Sequence, residues 1–224
     1  MSNTPRPDDY PAANMSRRTL LKGTLGLGVL GAAQESVAAE RRDASDANPI
    51  VLENAREGTT DWMLTKTHIA PETRYRSPRI EGYCNTTSLR AGSELEIMVS
   101  TNPPAPFTID LYRLGHYGGK GGRLARPLGE FEGITQPDPE IGEMRLRDCQ
   151  WQTSASFKIP EDWVSGVYVG KLTEQRDGLQ SYVIFIVRDD RQADFLFQCS
   201  DITWNAYNRW PDQFALYDDG QNVW

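Results

Sequence analysis

The sequence predicts a mainly β fold, an immunoglobulin-like antiparallel β-sandwich followed by the first strand of a truncated α/β domain. Between residues 78 and 190, short segments alternate apolar and polar side chains, which is typical of strands with one buried face. Prolines and asparagines separate these segments, because proline cannot donate a hydrogen bond to a strand ladder. No long segment has helical periodicity, so two packed sheets are the predicted architecture.

About seven strands are predicted in chain order. The second of them is expected to bury Leu95, Ile97 and Val99 on one face. The predicted strands lie near 80–84, 94–100, 107–114, 143–148, 151–158, 166–173 and 181–188. The aromatic residues expected in the core are Trp151, Trp163, Tyr168, Tyr182 and Phe185.

The strand predicted at 107–114 runs into a glycine-rich loop with the sequence GHYGGKGGR. A P-loop does not fit, because Gly115 and Gly119 are one residue too close together and Gly121 replaces the required hydroxyl. The pattern G-x-G-x-x-G does not fit either, since Leu124 stands at the third glycine position. The loop is therefore predicted to be a structural connection between strands, not a nucleotide site.

The chain changes character in residues 191–224. Phe195, Leu196 and Phe197 form an unbroken apolar run, which favours a strand at 195–199 covered on both faces, as in a parallel sheet. In open α/β sheets, ligands bind beyond the carboxyl ends of the strands. The candidate site residues after this strand are Asp201, Thr203, Trp204, Tyr207, Asn208 and Trp210. One strand does not make a domain, so the region is interpreted as the start of a truncated catalytic-type domain.

Residues 1–39 are predicted to be a twin-arginine signal peptide. Arg17 and Arg18 lie in the pattern SRRTLLK, which precedes an uncharged stretch and small residues suited to signal peptidase, ending near Ala38 or Ala39. A disordered tail with a chance arginine pair is the alternative. The prediction makes the twin-arginine export machinery a partner and places the mature chain in the periplasm or outside the cell.

Residues 40–77 are expected to form a linker and irregular segment between the signal peptide and the sandwich. Polar residues dominate this stretch, so it has little apolar surface of its own to bury. Trp62 and Met63 are the side chains expected to anchor it on the sandwich.

The composition argues against two kinds of partner. A net charge of −7 and a pI of about 5.0 disfavour sequence-independent binding to nucleic acid. No apolar run reaches about 18 residues, so no stable membrane span is predicted.

The titratable residues lack the spacing of the common catalytic and metal-binding motifs. The two histidines, His68 and His116, have no partner at metal-ligand spacing, and H-E-x-x-H and G-x-S-x-G are absent. The three cysteines form no C-x-x-C pair, which excludes zinc-finger ligation. Three free thiols are one interpretation, and a Cys84–Cys149 disulfide in an oxidising compartment is the other.

Four segments carry a resemblance to a known family. The sequences are IEGYCNTTSLRAGSELEIMVST, YRLGHYGGKGGRL, WVSGVYVGKL and DITWNAYNRW. Together they resemble the N-terminal portion of the N,N-dimethylformamidase large (beta) subunit-like family, over roughly Ser77 to Trp224. The glycine loop and TWNAYN are the most specific of these segments.

The resemblance implies an iron-dependent hydrolase of formamide C–N bonds. Members of that family hold a mononuclear iron with two tyrosines and a glutamate, and ferric iron is a hard Lewis acid suited to such oxygen ligands. Tyr207, in the matching TWNAYN run, is the best candidate for one tyrosine ligand, and Tyr217 is the second choice. The other ligands are expected further downstream, so no iron and no hydrolysis are expected of this chain alone.

Two functions are therefore compatible with the sequence. The chain is either the N-terminal part of an exported dimethylformamidase-like hydrolase, with a homo-oligomer or a small subunit as partner, or an exported β-sandwich binding module without catalysis. The two are expected to differ beyond the codon for Trp224, where a continuing reading frame rich in Tyr, His and Glu would support the enzyme and a stop would support the binding module.

Overall fold

The computed structural model describes residues 48–70, 76–193, 195–211 and 215–217, apart from the side chain of Met144. These residues belong to a compact unit, Ala47–Trp224. A second unit, Met1–Asp46, lies outside the described residues, and with it the predicted signal peptide with Arg17 and Arg18. The predicted domain boundaries stay predictions.

Eight strands form two sheets in the described part of the chain. One sheet has the order β1-β3-β6 and the other β2-β8-β7-β4-β5, in which β2 pairs parallel to β8. The strands are β1 Glu81–Cys84, β2 Ser88–Arg90, β3 Glu94–Ser100, β4 Phe107–Leu114, β5 Gly122–Phe131, β6 Ala155–Lys158, β7 Gly166–Glu174 and β8 Gln180–Arg188. The sandwich prediction is confirmed. The strand order also matches the immunoglobulin connectivity, with the first strand divided between the two sheets.

Two short helices flank the sandwich in sequence, α1 at Pro49–Asn54 and α2 at Asp201–Tyr207. The side chain of Asn48 accepts a hydrogen bond from the Ile50 amide at 2.9 Å, and Pro49 stands at the first helical position. Both features favour a helix start at this point, because they satisfy or remove amides that lack a partner within the helix. Neither helix was predicted, since each is too short to show a helical period.

The core lies between the two sheets, on the faces that the period of two predicts. Leu95, Ile97 and Val99 of β3 are fully buried, as are Phe107 and Leu111 of β4. Because adjacent residues of a strand point to opposite faces, the polar positions between them face away from this core. The predicted inward face of β3 is therefore confirmed.

Tyr168 fixes the corner where β7 begins. Its hydroxyl donates to the carbonyl of Val164 at 2.7 Å, and its ring stacks on Trp163 at 4.7 Å and on Phe185 at 5.5 Å. A tyrosine near the start of this strand that hydrogen-bonds a few residues upstream is a hallmark of immunoglobulin-like sandwiches. Burial raises the pKa of Tyr168 above its ordinary range.

Four of the five aromatic residues predicted for the core are buried or pack against it. Tyr168 and Phe185 belong to the central buried cluster, and Trp163 packs on its edge. Trp151 is buried, at 8% exposure, although outside that cluster, and Tyr182 is only partly buried, which corrects the prediction for Tyr182. Each uses its polar group outside the core: the Trp151 indole donates to the Pro137 carbonyl at 2.7 Å, and the Tyr182 hydroxyl donates to the Trp62 carbonyl.

The strand predicted at 143–148 does not form. Glu143–Arg145 is a 3-10 turn instead, and Leu146 is exposed. The alternation there is real, but the segment pairs with no strand of the described chain, so it has no face to bury. The prediction also missed β5, because Pro127 and Gly129 interrupt its pattern; both are tolerated in a bulged edge strand.

The strand predicted at 195–199 does not form either. Phe195, Leu196 and Phe197 have no regular structure and are 92%, 93% and 80% exposed. A strand needs neighbours to receive its backbone hydrogen bonds, and among the described residues none pairs with this segment. The apolar run was therefore misinterpreted as a strand of this fold.

Residues 48–66, which we call the strap, cross the outer face of the five-stranded sheet. Thr59 forms a bridge with Gly122 of β5, and the Lys171 ammonium on β7 donates to the carbonyls of Asp61 and Met63 at 2.7 and 3.1 Å. The Trp62 indole donates to the Lys120 carbonyl at 2.9 Å. Trp62 is thus an anchor, as predicted, whereas Met63 contributes its carbonyl and leaves its side chain exposed.

The strap packs against the glycine-rich loop. A β-carbon at Gly122 would lie 2.5 Å from the Trp62 ring, and one at Gly58 would lie 2.4 Å from the Tyr117 β-carbon. Glycine at both positions lets the two backbones approach closely. The predicted structural role of the loop agrees with this packing.

Candidate functional site: the cleft beside helix α2

A cleft of about 740 Å³ lies where β1 and β8 face the segment 145–151 and helix α2. Its volume is in the range of small-molecule sites, and it is lined by aromatic side chains together with a few polar ones. It collects residues from the sandwich and from the region after it, so the candidate site is not confined to one sequence segment.

Helix α2 presents one face to the cleft. Asp201, Trp204, Asn205 and Asn208 all line it, and their spacing of three, four and seven residues places them on the same side of a helix. Trp210 follows and lines the cleft as well. Most of the site residues predicted from the sequence are therefore brought together, although by a helix rather than by a loop after a strand.

Three aromatic rings form one wall of the cleft. Tyr83 of β1 lies 5.4 Å from Trp151 between ring centroids, and Trp151 lies 5.8 Å from Trp210 in an edge-to-face arrangement. The Tyr83 hydroxyl donates to the carbonyl of Cys149 at 3.0 Å and accepts from the Trp151 amide at 3.1 Å. These contacts tie the segment 149–151 to β1, and the rings form a rigid apolar surface.

Glu81 holds the third ring in place. One carboxylate oxygen accepts from the Trp210 indole at 2.8 Å, and the other accepts from the Arg76 guanidinium at 2.7 Å. The same guanidinium lies 5.3 Å from the Trp210 ring centroid. Both oxygens are engaged, and one of these contacts fixes the orientation of the Trp210 ring.

Two free thiols, Cys84 and Cys149, lie at the cleft. Cys84 packs against the core, and burial raises its pKa to about 12. Cys149 lies beside Tyr83, whose side chain points away from that of Cys84, and burial followed by the Asp148 charge raises its pKa to about 11. Cys199 is also free. The interpretation as three thiols is the one that this structure supports.

The two tyrosines predicted as ligands meet beside the cleft. The ring centroids of Tyr207 and Tyr217 are 5.4 Å apart, and the side chains are 64% and 67% exposed. Each is adjacent in sequence to a residue that lines the cleft, Asn208 and Leu216 respectively. Thr203 also lies on α2 and is exposed.

Two phenol oxygens are a chemically suitable part of an iron site, since ferric iron prefers hard oxygen ligands. They do not complete it. Within the described ranges, no group of three or more His, Cys, Asp or Glu side chains could hold a metal ion.

Sequence patterns did not reveal the sandwich side of the cleft. Trp151 was assigned to the core, and the turn at Glu143–Arg145 was assigned to a strand. Trp151 and Trp210 are distant in the sequence, so no local pattern could have joined them in one wall.

A comparison with family models decides the family. A model described as "N,N-dimethylformamidase beta subunit-like, C-terminal" matches residues 108–224, which is more than half of the chain. The chain belongs to the N,N-dimethylformamidase beta subunit-like family. The family indicated by the sequence motifs is thereby confirmed, although the matching model describes a C-terminal region and the motifs indicated an N-terminal portion. No curated protein matches the chain.

The match to the dimethylformamidase-like family covers the candidate site only in part. It begins inside β4 and includes the segment 145–151, helix α2 and Tyr217, while β1 and the strap precede it. Within the described ranges, no helix is long and apolar enough to cross a membrane.

Proposed function

We propose that this chain is a region of an exported amide hydrolase that cleaves the C–N bond of N-substituted formamides, and that Tyr207 is one of its iron ligands. The family supports the reaction class. The observation that supports the site is the contact between Tyr207 and Tyr217, 5.4 Å between centroids, at the edge of the aromatic cleft. Two phenols of separate segments meet where the cleft could receive a small amide.

In the proposed amide hydrolysis, a bound iron and the side chains of the cleft would have different roles. Ferric iron, when bound, polarises an amide carbonyl and lowers the pKa of a bound water. Tyr207 and Tyr217 would supply two of its oxygen ligands. The wall of Tyr83, Trp151 and Trp210 offers apolar surface to N-alkyl groups. The Asn205 amide on the cleft face of α2 can donate to a carbonyl oxygen.

The proposed site needs a further ligand beside the two tyrosines. A hydrolytic metal site needs about three protein ligands and an open position for water. Tyr207 and Tyr217 are two, so we expect the remaining donor from another polypeptide segment or from a partner subunit. The family's small subunit and a second copy of this chain are the partners proposed.

A ferric titration tests the role of Tyr207. Purified protein is titrated with ferric nitrilotriacetate, and the visible charge-transfer absorption of iron-bound phenolate is followed. We expect a weak band that a competing chelator removes and that Tyr207→Phe abolishes. Tyr112→Phe, a change of a tyrosine under the strap, is the matched control and should retain the band. A band that survives Tyr207→Phe would contradict the assignment.

Export by the twin-arginine route is part of the same proposal. It is supported by the SRRTLLK pattern and the small residues near Ala38. The machinery carries folded proteins, so the sandwich would form in the cytoplasm before transport.

A second candidate function, binding without catalysis, is favoured by the exposure of Phe195, Leu196 and Phe197. Contiguous exposed apolar surface marks interaction sites. Replacing Phe195 and Phe197 by serine distinguishes the two functions. Loss of self-association or of subunit capture, without any change in the ferric titration, would support a binding role for this segment.

A further inference from the structure

We propose that Arg145 is a positioning residue that holds the backbone at residues 215 and 216 and thereby keeps Tyr217 against Tyr207. The guanidinium belongs to the 3-10 turn Glu143–Arg145, about 70 residues before the segment that it holds. This inference rests on the proposed function only in treating the two tyrosines as ligands. The positioning itself stands on contacts within the chain.

The contacts form a fork on two consecutive carbonyls. Nε of Arg145 donates to the Ala215 carbonyl at 3.0 Å, and Nη2 donates to the Leu216 carbonyl at 2.8 Å. The guanidinium is planar and its donors have a fixed geometry, so two such bonds set both the place and the direction of the bound backbone. Tyr217 is the next residue, and its ring lies 5.4 Å from that of Tyr207.

The burial of residues 215–217 also indicates that their backbone is fixed in place. Ala215 is almost fully buried, although Tyr217 two residues later is mostly exposed. The exposed ring is therefore carried by a backbone that is packed and hydrogen-bonded one residue earlier. Arg145 and Leu216 both line the cleft, so the same clamp also forms part of its wall.

The backbone conformation of Arg145 sets the direction of its side chain. Its φ is 63°, in the left-handed region that a side chain other than glycine or asparagine rarely adopts. The turn is closed by hydrogen bonds from the Gly142 amide to the Leu146 carbonyl at 2.8 Å and from the Leu146 amide to the Glu143 carbonyl at 3.0 Å. Such a conformation costs free energy and persists where the surroundings require it. Here it directs the guanidinium at residues 215 and 216.

Oxidative cross-linking tests the positioning without iron. Two tyrosine rings in contact form dityrosine when a photoactivated ruthenium complex and persulfate oxidise them, and peptide mass spectrometry identifies the linked pair. The purified full chain should yield a Tyr207–Tyr217 link, and Tyr217→Phe should abolish it. Arg145→Asn removes the fork but tolerates a left-handed backbone, and it should lower the yield at least about tenfold, as expected for lost charge-assisted hydrogen bonds.

Control variants separate the effect of the two Arg145 hydrogen bonds from the effects of lost charge and of misfolding. Arg188→Asn removes an exposed arginine at the end of β8 and should leave the yield unchanged. Arg145→Lys keeps the charge without the fork, should also lower the yield, and replaces Arg145→Asn if that variant does not fold. An undiminished link in the folded Arg145 variants, or no link in the unmodified chain, would overturn the inference. Failure of the ferric titration with an intact, Arg145-dependent link would instead refute only the iron-site proposal.

Discussion

The Tyr117 hydroxyl donates a hydrogen bond to the carboxylate of Glu53 at 2.8 Å, across 64 residues of sequence. Nε of Arg123 donates to the same oxygen at 2.7 Å, and Arg113 donates to the Tyr117 hydroxyl at 2.9 Å. Glu53 is only 4% exposed. The buried Glu53 carboxylate therefore has three partners, Tyr117, Arg123 and Arg56, the last in an ion pair at 3.3 Å. The first two join the strap to the glycine-rich loop and to β5.

We expect Glu53→Gln to destabilise the protein by about 2 kcal/mol, because it weakens the charge-assisted hydrogen bonds that the buried carboxylate accepts from Tyr117 and Arg123. Urea unfolding followed by tryptophan fluorescence measures the change. Glu57→Gln is the matched control, since Glu57 lies on the same strap and is exposed. Equal stability of the two variants would show that the strap is not held by this charge.

The glycine-rich loop should tolerate the loss of its lysine and not of its glycines. Lys120 is exposed and contributes its backbone carbonyl to Trp62, so Lys120→Ala should change the free energy of unfolding by less than about 1 kcal/mol. Gly122→Val would collide with Trp62, and Gly119→Val would place a branched side chain at a φ of 87°. Both should cost more than Lys120→Ala in thermal unfolding. Tight ATP binding that depends on Lys120 would contradict this account of the loop.

The sequence predicted those features that depend on local pattern. The bounds of β3 and β4 were predicted correctly, because each begins with a clear alternation that places one face in the core. The run at Phe195–Phe197 shows the limit of such patterns: it has the composition of a buried strand, but burial depends on neighbours that a local pattern does not show.

One strap contact and one contact of the candidate site could not have been predicted for a related reason. The Glu53–Arg123 pair and the Arg145 fork each join residues about 70 positions apart, and no periodicity reports such a meeting. Tyr207 and Tyr217 were proposed individually from the resemblance, whereas their contact is visible only once the chain is folded.

The thiols should differ in reactivity. Because burial raises the pKa of Cys149 to about 11, little thiolate is present at neutral pH, and alkylation by iodoacetamide should accelerate about tenfold per pH unit up to that value. Cys84, with a pKa raised to about 12 and its side chain against the core, should react more slowly than Cys149 at the same pH. Mass spectrometry of alkylated peptides reports each site. A Cys84–Cys149 disulfide in the native protein would refute the arrangement around β1.

Export should depend on the arginine pair. Replacing Arg17 and Arg18 together by lysine should retain folded precursor in the cytoplasm, because the twin-arginine pattern is read as a receptor-recognised address. Cell fractionation and immunoblotting measure the distribution, with Arg41 and Arg42 replaced by lysine as the matched control. Unimpaired export of the Arg17/Arg18 variant would argue for another route or for none.

The proposal that this chain supplies only part of an iron site is tested most directly on the purified 224-residue protein. Metal analysis is combined with an assay of amine release from N,N-dimethylformamide. Two phenols cannot by themselves provide the approximately three ligands that a hydrolytic metal needs. We expect iron well below one equivalent and no hydrolysis above the buffer rate. One tightly bound iron per chain, or amide hydrolysis lost on Tyr207→Phe, would show instead that the site is already complete.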